Sequence, residues 1–437
     1  MTVVTSPSGR KSRWTMLYNG DCPPPGPEPL GFVHVSSGLD NHMALNNRGE
    51  LFVWGESSNS YTGQEPVPSG AGFNPHISHT YTTGSNYVDY LVKVGTKSDW
   101  VTCDHINRFY LALDSEGYMW AWGGSYYGSC GWPEDVKHKQ QVAGTLPRYV
   151  SGGDISLIPS RLEGHQWIAL ASGEYHTLLQ KADKSLWALG LNDNGSFGTT
   201  TVYPDGFKAY TPVEMTWLPE PVKLFTANTD VNAIVTESNE IWAWGDYSWT
   251  GGPPLTPIQL PLTIPAGVSV VSIKCEYNAV IVLLSNGDVY AKGSDVGLVG
   301  PPDYESIVFT KLPGDRNYVA IDVFDTAAGA LDNEGNLWGW GNGFFLSRDD
   351  SFCQQTTYET PVLVTSPSLG ARRWKAFSIG LRANTAISID GTLYAWGSDI
   401  SGQLGVGSIP EDFSCSVLEC GPIVYENGIE VEVLAHA

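Results

Sequence analysis

Positive charge is scarce in this sequence. Its 437 residues carry 24 Lys and Arg against 46 Asp and Glu, a formal net charge of −22. A protein that holds duplex nucleic acid needs a basic footprint, and a field of this sign repels phosphate, so no nucleic-acid partner is expected. Long apolar runs are also missing. The longest aliphatic stretch, Ala279 to Leu284, is too short to cross a bilayer, and residues 1–20 contain no apolar core of a signal peptide. Neither membrane insertion nor a targeting segment is expected. The seven cysteines are odd in number and irregularly spaced, so they form no disulfide framework. Only Cys415 and Cys420 lie close together, where a reduced pair is favoured over a local disulfide.

The familiar signatures of catalysis are absent too. The chain has no His-Glu-x-x-His, no Gly-x-Ser-x-Gly, no P-loop and no Cys-x-x-Cys. No catalytic residue, cofactor or metal is expected. His76 and His79 have metal-ligand spacing but no third ligand beside them. Asn192-Asp193-Asn194-Gly195 has the look of a calcium loop without its distal Glu, and reads as a turn. Asn194-Gly195-Ser196 would be a glycosylation site only in a secreted chain.

Apolar residues, glycine and tryptophan are plentiful. Hydrophobic residues make up 42% and charged residues 16%, far from the composition of disorder, and 49 Gly, 28 Pro and 16 Trp suit an all-β chain with many reversals. At roughly 150 residues per domain the length would suggest three domains, but the sequence repeats. Leu51-Phe52-Val53-Trp54-Gly55 returns as Met119-Trp120-Ala121-Trp122-Gly123, Leu186-Trp187-Ala188-Leu189-Gly190 and Ile241-Trp242-Ala243-Trp244-Gly245. Three more copies end at Gly293, Gly341 and Gly397. Seven copies with a mean spacing of 57 residues (342 residues over six steps) make one repeating unit.

Each copy follows a hairpin-turn signal such as Asp114-Ser115-Glu116-Gly117 or Asp332-Asn333-Glu334-Gly335. A short apolar strand precedes the turn, and another precedes that, as in Phe32-Val33-His34-Val35 or Trp374-Lys375-Ala376-Phe377. Thr211-Pro212-Val213, Thr256-Pro257-Ile258 and Thr360-Pro361-Val362 suggest a fourth strand, with Pro at an outer edge. Within the motif the second and fourth residues are large and share one face, while the third is small and faces the other way. Radially packed four-stranded sheets that set large on small make a β-propeller.

These residues resemble the regulator of chromosome condensation (RCC1-like) repeat. The nearest local matches are Ala171-Ser172-Gly173-Glu174-Tyr175-His176-Thr177-Leu178 and Trp396-Gly397-Ser398-Asp399-Ile400-Ser401-Gly402-Gln403-Leu404-Gly405. Leu189 and Lys292 stand where the repeat has Trp, so the member is divergent. The resemblance implies an all-β single β-propeller over residues 1–437, with a structural hydrogen bond for His176 beside its hairpin. The family norm is seven blades. Residues 1–31 and 429–437 read as closure strands around seven repeats at 32–428, which leaves a composite eighth blade, closed by both termini, as an open alternative. The family's Trp-based ultraviolet-B photoreceptor relies on Gly-Trp-Arg-His-Thr, which does not occur here. Its guanine-exchange activity is implied by resemblance alone.

Binding remains as the functional expectation. The segments after each Trp-Gly carry Tyr61, Tyr126, Tyr127, Trp132, Phe197, Tyr247, Trp249, Phe344 and Phe345, candidate anchors for a protein or glycan partner. Two long loops, Gly63 to Asp99 with Tyr81, Tyr87 and Tyr90, and Pro133 to Gly164, add to that surface. The sequence reading is a non-catalytic recognition propeller. Its favoured form is a displayed component of a larger particle, such as a phage tail or cell-surface appendage that binds virion subunits or a host receptor. The alternative is an RCC1-like regulator, either an exchange factor or an enzyme inhibitor.

Overall fold

The structure, a computed structural model, describes residues 31–57, 86–106, 109–124, 155–162, 166–192, 195–201, 203, 206–229, 231–245, 256–276, 279–293, 308–342, 357–365, 372–397, 402–405, 424–426 and 430–432. All regular structure among them is strand. Blade 1 holds β1 (Phe32–Ser37), β2 (Asn41–Asn46), β3 (Leu51–Ser57) and β4 (Asn86–Lys93). Blade 2 holds β5 (Trp100–His105), β6 (Phe109–Asp114), β7 (Met119–Gly124) and β8 (Ile155–Arg161). Blade 3 holds β9 (Trp167–Ser172), β10 (His176–Lys181), β11 (Leu186–Leu191) and β12 (Lys208–Glu214). Blade 4 holds β13 (Val222–Asn228), β14 (Val231–Thr236), β15 (Ile241–Gly245) and β16 (Ile258–Gln259). Blade 5 holds β17 (Val270–Glu276), β18 (Ala279–Leu284), β19 (Val289–Gly293) and β20 (Thr310–Lys311). Blade 6 holds β21 (Tyr318–Phe324), β22 (Ala327–Asp332), β23 (Leu337–Asn342) and β24 (Thr357–Leu363). Blade 7 shows three strands, β25 (Trp374–Ser378), β26 (Ala383–Ser388) and β27 (Leu393–Gly397). A separate hairpin pairs β28 (Val424–Glu426) with β29 (Glu430–Glu432).

The motif packs as its alternation requires. Trp54, Trp122, Trp244, Trp340 and Trp396 are fully buried, as are the small residues at the preceding position, Val53, Ala121, Ala243 and Ala395. At four blade boundaries the large residue meets the previous blade's small residue: Trp122 clusters with Val53, Leu189 with Ala121, Trp244 with Ala188, and Trp340 with Ala291. Large on small fills the wedge between radiating sheets. The glycine that ends the motif has positive φ, +100° at Gly55, and a Cβ there would run into the carbonyl of Asp40. That explains why Gly is kept even where the Trp is not.

Successive blades are tied by their turns. The carbonyl of a β-hairpin turn accepts the first N–H of the next blade's inner strand: Gly49 O from Trp100 (3.2 Å), Gly117 O from Trp167 (2.7 Å), Lys184 O from Val222 (3.1 Å), Gly287 O from Tyr318 (3.1 Å) and Gly335 O from Trp374 (2.8 Å). Asn239 does the same for Val270 through its side-chain oxygen. Blade 7 and blade 1 share this bond, Phe32 N–H to Gly391 O at 2.8 Å. The ring therefore closes directly with seven blades, and the composite eighth is corrected. The residues between Gly63 and Asp99 and between Pro133 and Gly164 are likewise not loop throughout, because β4 and β8 supply the outer strands of blades 1 and 2. The proposed N-terminal closure strands lie outside the described residues.

Candidate functional site

The seven inner strands surround a central channel of about 310 Å³. Every one of them carries a β-bulge or register shift one or two residues from its start. Equivalent positions on the seven strands therefore form rings. The fifth residue of each strand gives Ser36, Asp104, Ala171, Thr226, Lys274, Asp322 and Ser378, a mixed polar ring around the channel.

Most of that polarity is occupied in joining blades. Asp104 Oδ2 accepts the N–H of Ser172 at 2.8 Å and its hydroxyl at 3.0 Å, and Asp104 Oδ1 accepts the Ser36 hydroxyl at 3.1 Å. Asp322 Oδ2 accepts the N–H of Ile379 at 2.9 Å, and Ser378 Oγ accepts that of Ser37 at 3.0 Å. In all three cases a side chain at the fifth position binds the N–H of the sixth position one blade on. Lys274 cannot accept, and instead places its ammonium 2.9 Å from Asp322 Oδ1. The neighbouring Asp322 charge raises the Lys274 pKa, outweighing the partial desolvation of a side chain that is 40% exposed. Cys103 and Cys275 are buried free thiols, and burial pushes both pKa values up, away from the reactive thiolate.

Histidines sit in the same seams. His34 donates to Cys103 O at 2.9 Å, and His105 donates through Nε2 to Asn41 O at 2.9 Å while its Nδ1 lies 3.2 Å from Ser36 Oγ. His42 Nδ1 lies 3.0 Å from Ser37 Oγ, which in turn meets Thr385 Oγ1 at 2.9 Å. Burial lowers all their pKa values, to about 3 for His42 and about 4 for His105, with Asn41 O and Asp104 opposing it at His105. His176, the repeat histidine, makes its hydrogen bond across a blade boundary, to Asn232 Oδ1 at 2.7 Å. Burial takes its pKa down to about 4.

Opposite the turns, the described segments after Gly190 and Gly397 cap the next blade. Trp54 donates its indole N–H to Gln403 O, and Trp244 to Ser196 O, both at 2.8 Å. Gly195-Ser196-Phe197-Gly198 thus corresponds to Gly402-Gln403-Leu404-Gly405. Phe197 is accordingly buried, 2% exposed, in the core beside Tyr203, and does not belong to an exposed binding face. Alignment of those two tetrapeptides was the signal that would have placed it. Asn192 acts as a loop brace, accepting the Phe197 N–H and donating to the carbonyls of Thr199 and Thr201, as a turn residue should. Tyr87 and Tyr90 lie on β4 and so belong to a blade's outer strand. Tyr61, Tyr81, Tyr126, Tyr127, Trp132, Tyr247, Trp249, Phe344 and Phe345 lie outside the described residues, as do His76, His79, Cys415 and Cys420. Among the described residues no group of His, Cys, Asp and Glu could hold a metal ion.

Known proteins share this architecture. The chain is 23% identical to the ultraviolet-B receptor UVR8 of Arabidopsis thaliana over 88% of this chain and 81% of that protein. It is 24% identical to the regulator of chromosome condensation of Homo sapiens over 56% of this chain and 63% of that one. The crystal structure of Prp20p from Saccharomyces cerevisiae, described with its binding to Gsp1p and histones, superposes with a TM-score of 0.60 at 17% identity, covering 80% of each chain. This is a divergent RCC1-like propeller. Human WBSCR16 superposes on the RCC1-like propeller at a TM-score of 0.62 and 16% identity, covering 82% of this chain and 87% of that one. No family model matches the chain. The RCC1-like propeller spans 63% of the length of the human regulator it matches, and its relatives also include the Saccharomyces cerevisiae guanine nucleotide exchange factor SRM1, at 25% identity over 56% of this chain and 47% of that one.

Proposed function

We propose that this RCC1-like propeller works by binding another protein and performs no chemistry of its own. The supporting observation is the channel. In ligand-binding or catalytic clefts a few convergent polar groups are left unspent, whereas Asp104, Asp322 and Ser378 use their acceptors on the N–H groups of the next blade. The thiols of Cys103 and Cys275 are held protonated by burial, and His42 and His105 are held neutral between blades. Among the described residues, what remains available is surface.

The relatives support the regulator alternative over the particle component that the sequence favoured. A guanine nucleotide exchange factor and the regulator of chromosome condensation appear among them. The test is purification of the full chain from its own cells after light cross-linking. A stoichiometric protein that re-forms the complex from purified components supports the reading, and faster nucleotide release from a GTPase so identified would make it an exchange factor. A chain that recovers no protein partner overturns it.

A further inference from the structure

Four histidines lie among the described residues, and three of them hold blade 1. His42 stands in the seam with blade 7: its Nδ1 lies 3.0 Å from Ser37 Oγ, which meets Thr385 Oγ1 across the seam at 2.9 Å. Its ring also stacks on Trp54, whose indole N–H reaches the Gln403 carbonyl. The seam with blade 2 has the other two, His34 on Cys103 O and His105 on Asn41 O. Among the described residues, blade 1 alone has an imidazole in both of its seams. Blades 3 and 4 share one histidine, His176, and the seams from blade 4 to blade 7 are joined by Asn228 to Glu276, Lys274 to Asp322 and Asp322 to Ile379.

The closed seams are poorly built to take up protons. An imidazolium carries two N–H donors, and both need acceptors when buried. His42 Nε2 is buried with no hydrogen-bond partner among the described residues, so a protonated His42 would leave one donor unpaired. At His105 the added proton would fall on Nδ1, which faces the Ser36 hydroxyl and no carboxylate directly. A charge on His105 also opposes one on His42. The ionic groups facing the three rings give little relief. Asp104 favours protonation of His34 and His105, but it already accepts from Ser36 and Ser172. Lys274 opposes protonation of His34, and Asp322, which favours it, is paired with that lysine. Asp40, beside His42 in sequence, is held by Arg382 and Gln403.

We infer that blade 1 is an acid-released latch of the ring: protonation of His34, His42 and His105 opens its two seams while blades 3 to 6 stay packed. The latch lies at the junction where the last blade meets the first, and it gives the propeller a response to acidification whichever partner it binds. Each histidine that is neutral in the closed seam and charged in the open one raises the opening equilibrium by up to about tenfold per pH unit below its ordinary pKa.

Two buried thiols report on two different seams. Cys103 packs with Met43 and Val53 between blades 1 and 2, and Cys275 packs with Val231 and Ala233 between blades 4 and 5. The full chain is treated with a dipyridyl disulfide, which labels thiols in acid, and the labelling rate of each cysteine is read by peptide mass spectrometry relative to the denatured chain at the same pH. Cys103 labelling is expected to rise at least tenfold between pH 6.5 and 4.5, before Cys275 labelling rises and before circular dichroism is lost. His42→Asn with His105→Gln keeps polar atoms for Ser37 and Asn41 without a titrating ring and should remove most of that rise, while His176→Gln should leave it. No rise at Cys103 by pH 4.5, labelling of both cysteines together in step with unfolding, or a full rise in the folded double variant overturns the latch. Should the double variant not fold, the order of the two thiols in the wild type decides the question by itself.

Discussion

Ser378 Oγ accepts the buried backbone N–H of Ser37 at 3.0 Å, across 341 positions of sequence. This bond joins the last blade to the first with the same geometry that Asp104 and Asp322 use elsewhere in the ring. A hydroxyl thus does at the closing seam what a carboxylate does inside it.

Ser378→Ala removes the acceptor and leaves the Ser37 N–H unpaired in a buried seam. The expected loss is about 1–3 kcal/mol, seen as a lower midpoint in urea unfolding. A midpoint equal to wild type would mean that the ring does not depend on this seam.

Asp322 has two duties, and two substitutions separate them. Asp322→Asn keeps an oxygen for the Ile379 N–H but gives up the ion pair with Lys274. Asp322→Ala gives up both. Because Lys274 is partly reached by channel water, the asparagine variant should cost about 1 kcal/mol or less and the alanine variant about 2–3 kcal/mol. Equal losses would assign the stability to charge alone.

Trp340→Ala should destabilise by about 3–5 kcal/mol, since the indole fills the wedge against Ala279, Ile281 and Ala291 and the small residues opposite cannot close the gap. Gly49→Ala should also be costly, for a different reason. Gly49 has φ +72°, and a Cβ would lie 2.5 Å from Ser98 O, at the turn that receives the Trp100 N–H. Thermal unfolding of both variants checks these values.

Stability should fall as pH drops below neutrality. Burial holds the pKa values of folded His42, His105 and His176 at about 3, 4 and 4, below the ordinary histidine value of 6.5. Between those values the unfolded chain binds more protons, so the stabilisation is fully present above pH 6.5 and is lost as pH falls from there toward 4. Each histidine contributes a slope of at most about 1.4 kcal/mol per pH unit. Asp114 and Asp332, whose turn hydrogen bonds outweigh burial and hold their pKa values low, extend the loss further into acid. His105→Gln should flatten the dependence between pH 6.5 and 4.5, measured as urea midpoints. An unchanged slope would count against the buried neutral imidazole.

The period of 57 residues, the strand-turn-strand order and the large-on-small alternation were legible along the chain because each is local or repeats, whereas the partner of His176, Asn232 on the next blade, was not. A hairpin is specified by its turn residues, and a face by every second side chain. The channel ring was hidden, because Asp104 and Ser172, or Ser378 and Ser37, come together only when blades pack and the bulges set a common depth. Phe197 was misplaced for the same reason: an aromatic after Trp-Gly looks free until the next blade's Trp244 is found to bond the adjacent Ser196 carbonyl. Blade number was also beyond the linear reading. Seven motifs are compatible with seven or eight sheets, and only the direct bonds from Gly391 to Phe32 and from Ser378 to Ser37 decide it. By itself the sequence determined the repeat, its strands and its inward tryptophans, since these depend on neighbours a few residues apart. Closure and the spent polarity of the channel were decided by tertiary packing, which alone brings equivalent positions of seven separate blades into one ring.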